Sequence, residues 1–160
     1  MSAQSLFSAV LWPLLWALII STSLVWHLIA KGWAWDIHLF WATGPYALGA
    51  LVGGAFGRSF ATQLTSHKAA KARFCAFFAA NALTTLAFAA LFYFLPQRAY
   101  FAQWHADIFE LQWVFQVLFT GFGAAYLFIA SGLEPLLPWA VLLLALASLT
   151  FSRGRFPASH

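Results

Sequence analysis

Charge is what this chain has least of. Only 8% of its 160 residues are Asp, Glu, Lys or Arg, against about 25% in soluble domains. That scarcity leaves no room for a soluble domain. No charged residue falls in the middle of an apolar run, which argues against coupled transport, ion pumping and voltage sensing, activities that keep a charge at membrane depth. Cys75 is the single cysteine, so neither an intramolecular disulfide nor a thiolate metal cage can form. There is no HExxH, no GxSxG and no phosphate-cradling glycine loop; hydrolytic and nucleotide chemistry lack their motifs.

What is present is apolar and aromatic. The chain is 63% hydrophobic, with 18 Phe and 9 Trp, and its mean hydropathy is +0.81. Rings of this kind suit lipid-facing surfaces and the headgroup layer. The net charge of +4 therefore reads as a topology signal, with no nucleic-acid partner implied.

The hydrophobic pattern predicts an all-α polytopic transmembrane bundle of about five spans, over 6–30, 38–57, 74–95, 108–131 and 136–151, forming one integral-membrane domain. The opening run lacks the basic residues of a secretory signal and is too long for one, so it is expected to be an uncleaved first span. Gly49, Gly53 and Gly57 recur at four-residue spacing with apolar neighbours, the small-xxx-small ridge along which a second helix backbone packs closely. The second helix is accordingly expected at the centre of the bundle. Gly44-Pro45 lies above the ridge, and Pro96 is expected to end the third span. Between the second and third spans, residues 58–73 carry Arg58, Lys68, Lys71 and Arg73 and no acid, which places that loop in the cytoplasm of an inner-membrane protein, bacterial by expectation. Five spans would put the C-terminus on the opposite side. Arg153 and Arg155 oppose that, and an even count, with the last segment re-entrant or the first not spanning fully, would reconcile them.

Two groups of polar residues are candidates for chemistry. Ser23 and His27, Asn81, Thr84 and Thr85, and Gln112, Gln116 and Thr120 form stripes on three spans. If they faced the glycine ridge they would line a semi-polar interior for a lipid-like or quinone-like ligand, contacting Gly49, Gly53, Asn81, Gln112 and Gln116; otherwise they are contacts between helices. The leading expectation is a small membrane protein that binds or passes an amphipathic or apolar ligand, or assists assembly of a larger complex. In that case Gly49, Gly53 and Gly57 could face a second copy or another subunit. The second group, His27, His38, His105 and Glu110 with Asp36 and Asp107, falls at the outer face. Imidazole and carboxylate ligate divalent transition metals, and a histidine pair ligates haem, so a metal- or haem-dependent membrane redox enzyme is the alternative. Helix capping and interfacial anchoring explain the same residues without a cofactor.

Overall fold

The computed structural model describes residues 3–66, 68–108, 110–136 and 139–153; Arg155, used in the topology argument above, lies outside these. Among the described residues there are five α-helices and no strand: α1 (Ala3–Ala30), α2 (Ile37–Thr65), α3 (Ala70–Ala102), α4 (Leu111–Leu127) and α5 (Trp139–Arg153). The segments Val10–Ala30, Ile37–Thr65, Ala70–Ala102 and Leu111–Ala130 are long and apolar enough to cross a membrane.

Both middle helices outrun the expected spans. α2 has 29 residues and α3 has 33, or about 44 and 50 Å at 1.5 Å per residue. The basic loop thereby shrinks to a few residues around Lys68. Pro96 does not end α3, which continues to Ala102. Proline's fixed φ is helical, and its ring forfeits one hydrogen bond, here to the carbonyl of Phe92, without forcing a stop.

The turns between helices follow local chemistry. α1 stops at Gly32, with φ of 87°. There the Trp33 N–H donates to the Leu28 carbonyl and the Gly32 N–H to the Ile29 carbonyl, the Schellman pairing that favours glycine at the left-handed position. α2 starts on Asp36, whose carboxylate accepts from the N–H groups of His38 (2.9 Å) and Leu39 (3.3 Å). Asp36 is thus an N-cap, satisfying donors that the first turn leaves unpaired.

The glycine ridge lies inside the chain. A Cβ placed on Gly49 would sit 2.5 Å from the Ala89 Cα, one on Gly53 2.5 Å from the Thr85 Cα, and one on Gly57 2.7 Å from the Asn81 Cα. Each step of four up α2 meets a step of four down α3, so the two helices are antiparallel and in backbone contact. Only glycine allows that approach. Gly54, on the neighbouring face, meets Trp16 and Pro13 of α1. The ridge is therefore covered by α3 of the same chain, as expected for a central second helix.

α1 and α3 run parallel and are joined by two indole hydrogen bonds. Trp12 Nε1 donates to Asn81 Oδ1 (3.1 Å) and Trp16 Nε1 to Thr85 Oγ1 (2.9 Å). Asn81, fully buried, uses its amide N–H to reach the Phe77 carbonyl (2.9 Å). Thr84 shares its hydroxyl proton between the carbonyls of Ala80 and of Gly53 across the helix interface, both at 2.6 Å. The stripe on α3 is thus a set of contacts between helices.

The last part of the chain departs from five passes. α4 touches α3 near Arg98 through Trp113, near Phe94 through Gly121 and at Tyr93 through Phe128. From 113 to 128 the chain thus advances fifteen positions while its contacts on α3 move only five, from 98 to 93, so α4 lies obliquely across the end of α3. A π-type turn at Phe128–Gly132 and a short 3-10 turn at Glu134–Leu136 follow. α5 then continues in the same direction: Trp139 shares a groove with Trp26, and Phe151 stacks on Phe77 with ring centroids 4.2 Å apart. Arg73, at the start of α3, donates to the Phe151 carbonyl (2.8 Å) and lies over its ring. α4, the turn and α5 thus run in one general direction, as a single broken stretch. α5, with 15 residues, spans only about 22 Å.

This arrangement brings the start of α1, the α2–α3 connection and the end of α5 to one end of the bundle. Arg58, Lys68, Lys71, Arg73 and Arg153 lie towards that end. Asp36, Asp107, Glu110 and Glu134 all lie at the other, with exposed Trp26, Trp33, Trp35, Trp41 and Trp104 around them. Large apolar side chains such as Leu18, Leu83, Phe119 and Phe122 point outwards, a surface that lipid solvates and water does not.

Candidate ligand-binding site

The break in the last pass forms the site. Regular α-helical hydrogen bonding gives way between residues 128 and 136 to a π-type turn and a 3-10 turn, and inside a bilayer such irregular backbone is tolerated where it is covered by protein or lines a cavity. Both conditions hold. Tyr46 of α2 donates its hydroxyl to the Gly132 carbonyl at 3.0 Å. Its ring stacks on Phe128, 5.9 Å between centroids, and Tyr93 of α3 packs against the same ring at 6.0 Å. A Cβ on Gly132 would lie 2.5 Å from the Tyr46 hydroxyl, so the position admits only glycine while Tyr46 stays in place.

Two cavities flank the break. On one side, a chamber of about 280 Å³ is lined by His27, Lys31, Trp33, Tyr46, Tyr93, Gly132 and Glu134. Lys31 and Glu134 form an ion pair at its mouth, both side chains solvent-accessible. On the other, an almost wholly apolar cavity of about 220 Å³ lies between α1, α3 and α5, lined by Trp16, Ile20, Phe78, Leu86, Leu133, Leu136 and Leu144 among others. Its one polar neighbour, Thr85, already accepts from Trp16. Gly132 lines the first cavity and Leu133, the next residue, lines the second.

The expected ligand contacts are dispersed. Gly49, Gly53 and Asn81 are occupied by the α2–α3 contact. Gln116 accepts the Ala106 N–H at 2.8 Å and thereby ties down the loop after α3, Thr120 bonds back to the Gln116 carbonyl, and Gln112 is exposed. Because α4 crosses the end of α3, its polar stripe never meets the stripes of α1 and α3. The expected histidine and carboxylate centre is not assembled either. Among the described residues no three His, Cys, Asp or Glu side chains come within reach of one metal ion. His27 lines the chamber, His38 is exposed in the first turn of α2, His105 lies beyond the end of α3, and Glu110 is an exposed N-cap of α4. They share an end of the bundle but sit on different sides of it. Outside the helices, His105 is held below the ordinary histidine range by burial and then by the charge of Arg98.

Residues that sequence reasoning passed over include Tyr46, Tyr93, Lys31 and Glu134. Trp12 and Trp16 were legible in principle, since they repeat the four-residue spacing of Asn81 and Thr85. No family model, no curated protein and no solved structure matches the chain.

Proposed function

We propose that the chain is an integral membrane protein that binds an amphipathic, lipid-like molecule at the break in its last pass. The polar end of the ligand occupies the chamber of His27, Lys31, Tyr93 and Glu134, and its apolar part lies against the cavity bordered by Leu133 and Trp16. The observation that carries this reading is the pair of adjoining residues, Gly132 and Leu133, that line two cavities, one with several polar side chains among apolar ones and the other almost wholly apolar. Pockets for small amphipathic molecules combine a mostly apolar wall with a few convergent polar groups, and broken helices recur at such sites within membranes. The two charges of Lys31 and Glu134 cancel, so the chamber favours a neutral or zwitterionic polar end.

By the positive-inside rule, the end carrying Arg58, Lys68, Lys71, Arg73 and Arg153 faces the cytoplasm, in a bacterial inner membrane on this reading, and the chamber opens on the opposite side, among the exposed tryptophans. Association through the glycine ridge is not part of the proposal, because α3 covers it.

Native mass spectrometry of the protein released from detergent tests the reading. Wild type should retain a lipid-like adduct. Ala140→Phe, which fills the apolar cavity from α5, should lose it, and Tyr93→Phe should weaken it. A wild-type protein without an adduct after extraction in mild detergent, or an Ala140→Phe protein that keeps it, refutes the assignment.

A further inference from the structure

Two side chains at the end of α3 have buried polar atoms without partners. Arg98 lies about one turn before the helix ends, half-buried, with its guanidinium carbon 5.8 Å from the centre of the Trp113 ring. Its Nη1 is inaccessible and makes no hydrogen bond. His105, three residues past the helix, is also half-buried, and its Nδ1 is likewise inaccessible and unpaired. The backbone holds both in place: the His105 N–H donates to the Ala102 carbonyl, and the adjoining Ala106 N–H to Gln116 Oε1. Asp107 and Glu110 are nearby in sequence but exposed, and neither forms an ion pair with Arg98.

A buried polar atom without a partner is costly, and more so when it belongs to a charged group. Trp113 supports the guanidinium from one face, and the Nη1 donors remain without an acceptor. The imidazole is within range of the Arg98 charge, so the pair offers donors of two kinds with one fixed positive charge. Exposed Tyr100 and Trp104 place this corner at the level where amphipathic rings meet headgroups. We propose that Arg98 and His105 bind a phosphate oxyanion at this end of the bundle, Arg98 by charge-assisted hydrogen bonds and His105 by its ring N–H. The phosphate comes from a lipid headgroup or from the aqueous phase. This site is separate from the chamber at the broken pass and does not depend on it.

The test is binding to the full chain in a neutral sugar detergent, followed by thermal unfolding and titration. The lipid probe is dioctanoyl phosphatidylglycerol and the soluble probe is inorganic phosphate. Wild type should be stabilised by at least one of them. Arg98→Gln should weaken Kd about tenfold, the loss expected for one charge-assisted contact, and Arg98→Lys should recover part of it. His105→Gln should weaken Kd by a smaller factor, and it decides the matter if Arg98→Gln does not fold. Binding of phosphatidylglycerol but not of inorganic phosphate at equal concentration assigns a lipid headgroup; equal binding assigns free phosphate. Failure of both probes to bind wild type, or a Kd unchanged in His105→Gln and in any folded Arg98→Gln, overturns the proposal.

Discussion

Gly53 and Thr85 are in backbone contact: a methyl group on Gly53 would lie 2.5 Å from the Thr85 Cα and 2.6 Å from its nitrogen. Neither atom belongs to a side chain that can swing away, so the helices themselves must separate to admit it. Gly53→Ala is therefore expected to destabilise the bundle by about 1–3 kcal/mol, and Gly53→Leu by more. Gly123→Ala is the control, since nothing lies within 4 Å of a Cβ there; it should be neutral or stabilising by up to about 1 kcal/mol. Reversible unfolding in mixed micelles measures both.

The two indole bonds between α1 and α3 are expected to be coupled to their acceptors. Trp16→Phe should cost about 1 kcal/mol through loss of the Thr85 contact. Asn81→Ala should cost more, because it leaves the Trp12 N–H buried without a partner and removes a filled volume from the interface. Double-mutant cycles should give coupling of about 0.6 kcal/mol or more for Trp12 with Asn81 and for Trp16 with Thr85. Coupling near zero would mean that these bonds do not hold the helices.

Four passes place residues 68 and 153 on one side of the membrane and residue 35 on the other. With Cys75→Ser as background, single cysteines at Lys68, Arg153 and Trp35, all exposed, report this through a membrane-impermeant thiol reagent applied to intact cells and to inverted vesicles. Positions 68 and 153 should label together, and position 35 oppositely. A five-pass chain would instead label 153 with 35.

Tyr46 is expected to fasten the broken pass. Tyr46→Phe keeps the stack on Phe128 and removes only the hydrogen bond to the Gly132 carbonyl. Amide exchange measured by mass spectrometry should then rise in residues 128–136 and stay unchanged in the α2–α3 contact.

His105 supplies a pH dependence whose sign follows from its neighbours. Its folded-state pKa is depressed, by burial first and by Arg98 second. The unfolded chain therefore takes up a proton at a higher pH than the folded one, and stability falls as pH drops through the ordinary histidine range. The effect is absent at higher pH, where both states are neutral. Resolved imidazole resonances should show His105 titrating below an exposed histidine, and Arg98→Gln should move it upward.

Much of the fold could be read without coordinates. Apolar runs long enough to cross a bilayer, and a glycine ridge at helical spacing, are one-dimensional patterns, because helix hydrogen bonds are local and the period of the side chains follows from them. Asp36 as a cap and the all-α class were legible for the same reason. The helix ends were less so. Pro96 looks like a stop, yet a proline at helical φ interrupts only one bond, and whether a helix continues beyond it depends on what the next turn packs against.

The amino-acid sequence by itself determined an all-helical, lipid-compatible chain with a close-packing ridge and its basic residues gathered towards one end. Which surface the ridge meets, that α4 crosses α3 obliquely, and that the last two helices share one pass were decided only by tertiary structure. So was the meeting of Tyr46, Tyr93, Lys31 and Glu134 around Gly132. Lys31 and Glu134 are 103 residues apart, and no periodicity carries information across such a distance. Their proximity arises because α2 and α3 pack backbone to backbone, leaving α4 only the end of α3 to rest on and bringing the break beside the end of α1.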